Sequence, residues 1–273
     1  MSSTAHLIGS GVTVYFYSVF FIFGLLVGSF LNCLIYRIKT GDSLRGRSFC
    51  PRCEHGLGPR DLVPIFSFIF LGGRCRYCKE RISPQYPAVE LVTGILFLTT
   101  FIFFRPIESV EAALLFSLVL FCFSCLLLIF VYDLKHYIIP NKVIYPALAA
   151  AGAYILGSAL FKGETGIIGN HLLTASATFL FFLVIFLLTR GKGLGFGDVR
   201  YAAFMGLFLG FPDILVGLFF SFFSGAIIGV ALIFTGRKKR KDMIPFGPFL
   251  VAGTVIAFFL GEVIINWYLS GLL

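Results

Sequence analysis

The stretch Gly193-Leu194-Gly195-Phe196-Gly197-Asp198-Val199-Arg200 places one carboxylate directly after three glycines, with long apolar segments on both sides. A carboxylate at membrane depth is costly unless it faces a cavity, a partner or a substrate. Asp133 is in a comparable position, because it follows an apolar run that begins near Ala112. A lone aspartate at a helix end most often only caps the helix. Two aspartates on one membrane face, one protonated and one ionised, are the minimum catalytic set of an aspartyl protease. Gly195 and Gly197 would leave room there for a substrate backbone.

The composition indicates a membrane protein with many spans. Of the 273 residues, 58% are hydrophobic and 13% are charged, whereas soluble domains carry about a quarter charged residues. The apolar segments predict an all-α polytopic protein with about eight transmembrane helices and both termini outside. We expect helices at about 12–36, 88–104, 112–132, 142–161 and 171–189, then a short helix to 211, a longer one to 235 and a last one to 269. The short helix has fewer residues than the roughly 17 that an ordinary membrane-spanning helix needs. Such a length is tolerated if the helix starts in a water-filled cavity and not in lipid.

The positive charge of the chain predicts its orientation in the membrane. The net charge is +9, and 20 of the 22 Lys and Arg lie in 37–87, 133–142, 190–200 and 237–242. The other two, Arg105 and Lys162, lie in the intervening connections. Cytoplasmic loops carry such an excess of Lys and Arg, so both aspartates are expected at the cytoplasmic face. Because the topology explains the positive net charge, no nucleic-acid partner is expected. The expected surrounding of the apolar helices is membrane lipid.

Four cysteines in the one large connection predict a metal site. Cys50 and Cys53 form one Cys-x-x-Cys pair, Cys75 and Cys78 form a second, and 21 residues separate the pairs. Such pairs supply the four soft ligands of tetrahedral zinc. Two disulfides are the alternative, but cytosolic thiols stay reduced, which favours zinc. We therefore expect a first transmembrane helix in 1–36, a small cytoplasmic zinc module in 37–87, and a transmembrane aspartyl protease core in 88–273.

Three further features of the first third of the chain leave more than one interpretation open. The apolar segment 62–71 is too short to span a bilayer, and it fits either the membrane interface or the core of the module. Asn32 is predicted to make an interhelical hydrogen bond, with contact to a lipid headgroup or a cofactor as the alternative. Glu90 either complements the helix dipole near a helix start or contacts a cofactor or substrate.

Several stretches together resemble the bacterial type IV prepilin peptidases, a family of the Gly-x-Gly-Asp class of membrane aspartyl proteases. The matching stretches, in the order of the family, are 28–37, the four cysteines, 85–90, 133–141, 193–200 and 244–249. The resemblance implies an enzyme of the bacterial cytoplasmic membrane that uses Asp133 and Asp198 to cleave a basic leader, after a glycine, from prepilins or pseudopilins. It also implies methylation of the new N-terminus with S-adenosylmethionine as methyl donor. This activity is associated with the module that carries the four cysteines, residues 37–87, called the cysteine module below. The sequence lacks a glycine-rich nucleotide fingerprint of the Rossmann kind, so methylation rests on the resemblance alone.

A multi-span transporter or channel with a zinc-stabilised cytoplasmic loop is the main alternative, and a non-enzymatic assembly factor is another. Membrane carboxylates also serve proton relays, and broken helices also mark transport sites. Transporters of that kind usually consist of two corresponding halves, and we find no internal repeat in this sequence. Cleavage of a candidate pilin distinguishes the interpretations, because only the enzyme requires it.

Overall fold

The chain folds into helices and short loops, and the described part contains no β-strand beyond two isolated β-bridges. The computed structural model describes residues 2–43, 46–104, 106, 109–239 and 242–271. Nine α-helices lie in these ranges: α1 Ser2–Thr40, α2 Phe66–Phe70, α3 Gln85–Phe104, α4 Val110–His136, α5 Asn141–Lys162, α6 Gly166–Leu188, α7 Phe196–Leu209, α8 Asp213–Phe234 and α9 Gly247–Ser270. Arg45, Arg105, Arg240 and Lys241, which belong to the predicted connections, lie outside the described residues.

The predicted all-α fold with many membrane-spanning helices is confirmed. Within the described ranges, seven helices are long and apolar enough to cross a membrane: α3 to α6, α8, α9 and the part of α1 from Val14 onwards. The eighth is α7, whose 14 residues span only about 21 Å at 1.5 Å per residue. The predicted count of about eight is therefore matched by seven full-length helices and one short one. The long helices α1 and α4 extend beyond their predicted ends, to Thr40 and His136, so Asp133 lies inside the last turn of α4 and does not follow it.

Two compact units make up the chain, Met1–Ala112 and Ala113–Leu273. In the first unit, α1 packs on α3 through small residues. A Cβ atom on Gly28 would lie 2.7 Å from the Cα of Glu90, and one on Gly24 would lie 2.7 Å from the Cα of Gly94. Close approach of helix backbones through small residues is the usual means of helix association in membranes. The finer division at residues 36 and 87 stays a prediction.

The second unit has a core in which α4, α7 and α9 meet. The Phe123 ring of α4 makes edge contacts with Phe208 of α7 and Phe258 of α9. Next to them, the Tyr201 hydroxyl and the Thr254 hydroxyl are hydrogen-bonded at 2.9 Å with both residues buried. This bond satisfies two polar groups that would be costly in an apolar interior. It also ties α7 to α9, whose first residues carry the contacts described next.

Candidate active site and metal centre

Asp133 is a buried carboxylate that contacts the start of α9. Its residue is 4% exposed, and its Oδ2 accepts a 3.0 Å hydrogen bond from the backbone N–H of Gly247, the first residue of α9. The first N–H groups of a helix have no partner inside the helix, and the helix dipole favours negative charge there. The start of α9 therefore holds the Asp133 carboxylate in place.

Asp198 has a closely similar environment at the start of α7. It is 9% exposed, and its Oδ2 accepts a 3.0 Å hydrogen bond from the Gly195 N–H. The Asp198 N–H donates to the Gly195 carbonyl oxygen at 3.1 Å, which closes the first turn of the helix. Asp198 is the third residue of α7, and a bond from its side chain back to the N–H of the residue before the helix is the N3 half of a capping box, a capping role that a lone aspartate could also have. Here the cap also fixes the carboxylate at a defined position.

The two carboxylates are close enough for Asp198 to experience the charge of Asp133. Both are nearly excluded from solvent, where the charge on one carboxylate disfavours ionisation of the other, so that one protonated and one ionised member is the favoured combination. One member can then donate a proton to a carbonyl oxygen while the other accepts a proton from water. The structure thus brings together the two aspartates that the sequence predicted as a pair.

The glycines next to Asp198 have different surroundings. A Cβ atom on Gly195 would lie 3.4 Å from Oδ2 of Asp198, whereas one on Gly197 would lie 3.1 Å from Cβ of Ile139. Gly197 therefore allows α7 to approach the segment between α4 and α5. A substrate-binding role for Gly195 and Gly197 stays a prediction, and the contact with Ile139 gives Gly197 a packing role as well.

The four predicted metal-ligating cysteines come together in the first unit. The Sγ atoms of Cys50, Cys53, Cys75 and Cys78 all lie within 4.8 Å of one another, and each cysteine is free. The Sγ atoms of Cys50 and Cys78 are 3.9 Å apart. Four thiolates around zinc at 2.3 Å would be about 3.8 Å apart in a regular tetrahedron. The donor set and its spacing therefore fit a zinc ion.

The two cysteine pairs are built on one local plan. The N–H of Cys50 donates to the His55 carbonyl oxygen at 3.0 Å, and the N–H of Cys75 donates to the Glu80 carbonyl oxygen at 2.8 Å. Each pair is also flanked by one antiparallel β-bridge, Phe49 with Gly56 and Arg74 with Arg81. The structure thus contains a local repeat of 25 residues, which is not evident in the sequence because the repeated positions share little beyond the cysteines.

Two contacts join the cysteine pairs to each other and to the loop between them. The ring centroids of His55 and Tyr77 are 3.6 Å apart. Arg76 Nε donates to Asp61 Oδ1 at 2.6 Å. The hydrogen bond from the Arg76 guanidinium is the main reason why the pKa of Asp61 is lowered. His55 therefore packs against the second pair, and the structure assigns it no metal-ligating position.

The polar residues of α1 and α3 are hydrogen-bonded within the first unit. Asn32 Nδ2 donates to the Tyr86 carbonyl oxygen at 3.0 Å, and Gln85 Nε2 donates to Asn32 Oδ1 at 3.1 Å. The predicted interhelical bond of Asn32 is thereby confirmed. Glu90 is buried, and its Oε2 accepts a 2.7 Å bond from the N–H of Ile65, a partner that neither interpretation of Glu90 included.

Comparison with known proteins identifies the family. Residues 22–104 match the bacterial peptidase A24 N-terminal domain, and residues 120–230 match the type IV leader peptidase family. A prepilin leader peptidase/N-methyltransferase of Bacillus subtilis is 39% identical, over 93% of this chain and 98% of the relative. This chain belongs to the type IV leader peptidase family. The type IV leader peptidases include enzymes of the same name from Aeromonas salmonicida, 32% identical over 96% of this chain and 97% of the relative, and from Pseudomonas aeruginosa, 30% identical over 90% and 91%.

Membership of the type IV leader peptidase family makes the chain an enzyme of the multi-pass inner-membrane class, and the transporter alternative is not favoured. No solved structure matches the chain significantly.

Sequence reasoning did not assign a role to Gly247 or to Ile139. Gly247 lies in a stretch that was matched to the family, and its position between two prolines, Pro245 and Pro248, signals a helix start.

Proposed function

We propose that this chain removes the basic leader from prepilins or pseudopilins at the cytoplasmic face of the membrane and then methylates the new N-terminus. The observation that carries the proposal is the pair of buried aspartates, each fixed by a backbone N–H at the start of a helix. The names of the B. subtilis, A. salmonicida and P. aeruginosa relatives support the same pair of activities.

The Asp133 and Asp198 pair would act on a water molecule and the scissile carbonyl together. One carboxylate takes a proton from water as its oxygen attacks the carbonyl carbon, and the protonated partner gives its proton to the carbonyl oxygen. Collapse of the tetrahedral intermediate breaks the C–N bond, and a proton passes to the leaving amine. Because the pair titrates as one unit, the acid and base roles belong to the dyad.

The positions of the aspartates favour a scissile bond near the cytoplasmic end of a substrate helix. Asp133 lies in the last turn of α4 and Asp198 in the first turn of α7, next to connections that carry Lys and Arg. The positive-inside rule assigns these connections to the cytoplasm. A peptide bond just outside a helix is the easier target, since a helical peptide bond is already hydrogen-bonded and shielded. Gly195 and Gly197 would leave space for the extended backbone of such a segment.

The cysteine module would hold one zinc ion through Cys50, Cys53, Cys75 and Cys78. Four thiolates fill the tetrahedron and leave no open position for water or substrate, so the ion would have a structural role. Each cysteine pair is flanked by only one isolated β-bridge. The free energy of zinc binding would therefore stabilise the folded form of both pairs.

Methylation would follow cleavage, because the α-amine that receives the methyl group exists only after the leader is removed. When bound, S-adenosylmethionine would supply an electrophilic methyl group: the amine nitrogen would gain the N–CH3 bond as the S–CH3 bond breaks, S-adenosylhomocysteine would leave, and the amine would give up one proton. The family names support the activity, and the association of the cysteine module with it rests on the resemblance to the prepilin peptidases.

The proposed function is tested by co-expression of a pilin-like protein with and without this chain in a host that lacks its own prepilin peptidase. Intact-mass spectrometry should show loss of the leader, and a gain of one methyl group, only when the chain is present. An unchanged mass with several pilin-like and pseudopilin-like substrates would contradict the proposal. Loss of the leader without gain of a methyl group would support the proposed peptidase activity and contradict the proposed methyltransferase activity.

A further inference from the structure

The apolar segment between the two cysteine pairs is exposed on its hydrophobic side. In this segment, residues 62–71, Phe70 is 84% exposed, Ile69 is 64% exposed and Phe66 is 55% exposed. Leu62 and Val63 are also exposed. The Phe68 ring, in contrast, lies near Gly73, and Pro64 is buried. The segment therefore does not form the core of the cysteine module, which was one of its two predicted roles.

A hydrogen bond fixes how deep this segment lies relative to α3. The N–H of Ile65 donates to Oε2 of Glu90 at 2.7 Å, and Glu90 is the sixth residue of α3. At 1.5 Å per residue, Glu90 lies about 7.5 Å from the first residue of the helix. Because the 20 residues of α3 cover only about the 30 Å of a hydrocarbon core, its first turns lie at or inside the membrane boundary. Residue 65 is held at that level.

The backbone and charges around the segment fit a shallow insertion. Ile65 has φ +63° and the turn at Gly72 and Gly73 has φ +60° and +67°, so the chain bends sharply on both sides of the five-residue helix α2. Arg60 and Arg74 flank the segment, and both are exposed. Arginines in this position match anionic lipid headgroups, while apolar rings enter the boundary between headgroups and acyl chains.

We propose that residues 62–71 form a membrane anchor that inserts Phe66, Ile69 and Phe70 into the leaflet at which α3 begins. Among the described residues, comparable exposure of large apolar side chains is found on the helices that are long and apolar enough to cross the bilayer, as at Leu188 (79%) and Phe234 (86%), and at a few connecting residues such as Met243 (73%). The anchor would hold the cysteine module against the membrane surface. The proposal stands independently of the peptidase function, because it uses only the contacts of the first unit.

Depth-dependent quenching of tryptophan fluorescence tests the anchor. Trp267 is the only tryptophan of the chain, so Trp267→Phe provides a silent background. Phe70→Trp and, separately, Ile69→Trp are introduced into the full chain as probes. Glu80→Trp is the matched control, because Glu80 is an exposed residue that follows the second cysteine pair and lies outside the segment. Each variant is reconstituted in nanodiscs of phosphatidylcholine with a minor fraction of phosphatidylglycerol, with and without bromine on the acyl chains near the headgroup.

The anchor predicts a blue-shifted emission and several-fold stronger quenching by brominated lipid at positions 69 and 70 than at position 80. Quenching at both probe positions no stronger than at the control would overturn it. A blue-shifted emission that brominated lipid does not quench would also overturn it, since the segment would then be covered by protein. If one probe variant fails to fold, as judged by its elution from size-exclusion chromatography, the other probe position decides.

Discussion

Replacement of Gly247 by alanine is expected to disturb the catalytic pair without removing a charge. Gly247 is buried at the start of α9, and its N–H donates to Oδ2 of Asp133. A Cβ atom at this position would lie 2.6 Å from that oxygen and 3.1 Å from Cγ of Asp133. Real carbon and oxygen atoms do not approach so closely, so the Asp133 carboxylate must move away from its hydrogen-bonded position.

The expected loss of activity follows from the cost of overpacking. An extra methyl group in a packed site typically costs about 1–3 kcal/mol, and if this is felt in the transition state the cleavage rate falls by roughly 5- to 150-fold. The assay is cleavage of a purified prepilin in detergent at low substrate concentration, followed by mass spectrometry, so that kcat/KM is measured. The loss should be independent of pH to a first approximation, since both carboxylates remain.

Gly261→Ala is the matched control, because its Cβ atom would contact the carboxylate of Asp213 and lie 3.0 Å from Cγ of that residue. Asp213 begins α8, so by helix order it lies at the opposite membrane face from Asp198. Gly261→Ala should therefore keep most of its cleavage activity per folded molecule. An equal loss of activity in both variants, or full activity in folded Gly247→Ala, would refute the argument that Gly247 positions Asp133.

Three further predictions concern the rest of the molecule. Cys50→Ser should lower the zinc content from about one ion per chain, measured by elemental analysis, and should impair methylation more than cleavage. A reporter fused after Lys239 should score as cytoplasmic and one after Lys162 as external; an external score at Lys239 would break the eight-helix topology. Asn32→Leu should lower the stability of the α1–α3 pair by about 0.5–2 kcal/mol, measured by unfolding in detergent, because the bond to the Tyr86 carbonyl is lost; unchanged stability would show that this bond contributes little.

The helical architecture and the candidate site residues could be predicted from the sequence because they depend on strong local signals. Apolar stretches of about 20 residues define membrane helices by length alone, and two Cys-x-x-Cys pairs define a metal site by spacing. Asp133 and Asp198 could be paired because the positive-inside rule assigns the ends of their apolar segments to one membrane face. The comparison with relatives then fixed the family.

Contacts between residues far apart in the chain could not be predicted in this way. The bond from Gly247 to Asp133 joins residues 114 positions apart, and no local pattern specifies which backbone N–H meets the carboxylate. The bond from Ile65 to Glu90 depends on a positive φ at an isoleucine, a conformation that a β-branched residue rarely adopts. The end of α4 was also predicted a turn too early, since Lys135 and His136 are polar residues that nevertheless suit the last turn of a helix.

The central claim, that Asp133 and Asp198 act as one catalytic unit, is tested most directly by three variants in the prepilin cleavage assay: Asp133→Asn, Asp198→Asn and the double substitution. Asparagine keeps the size of the side chain but can neither ionise nor share the proton, so each single variant should lose cleavage almost as completely as the double variant. Membrane insertion and zinc content should be unchanged, and Asp213→Asn should cleave at nearly the normal rate. Substantial cleavage by either single variant, in protein that is folded and inserted, would contradict the aspartyl mechanism.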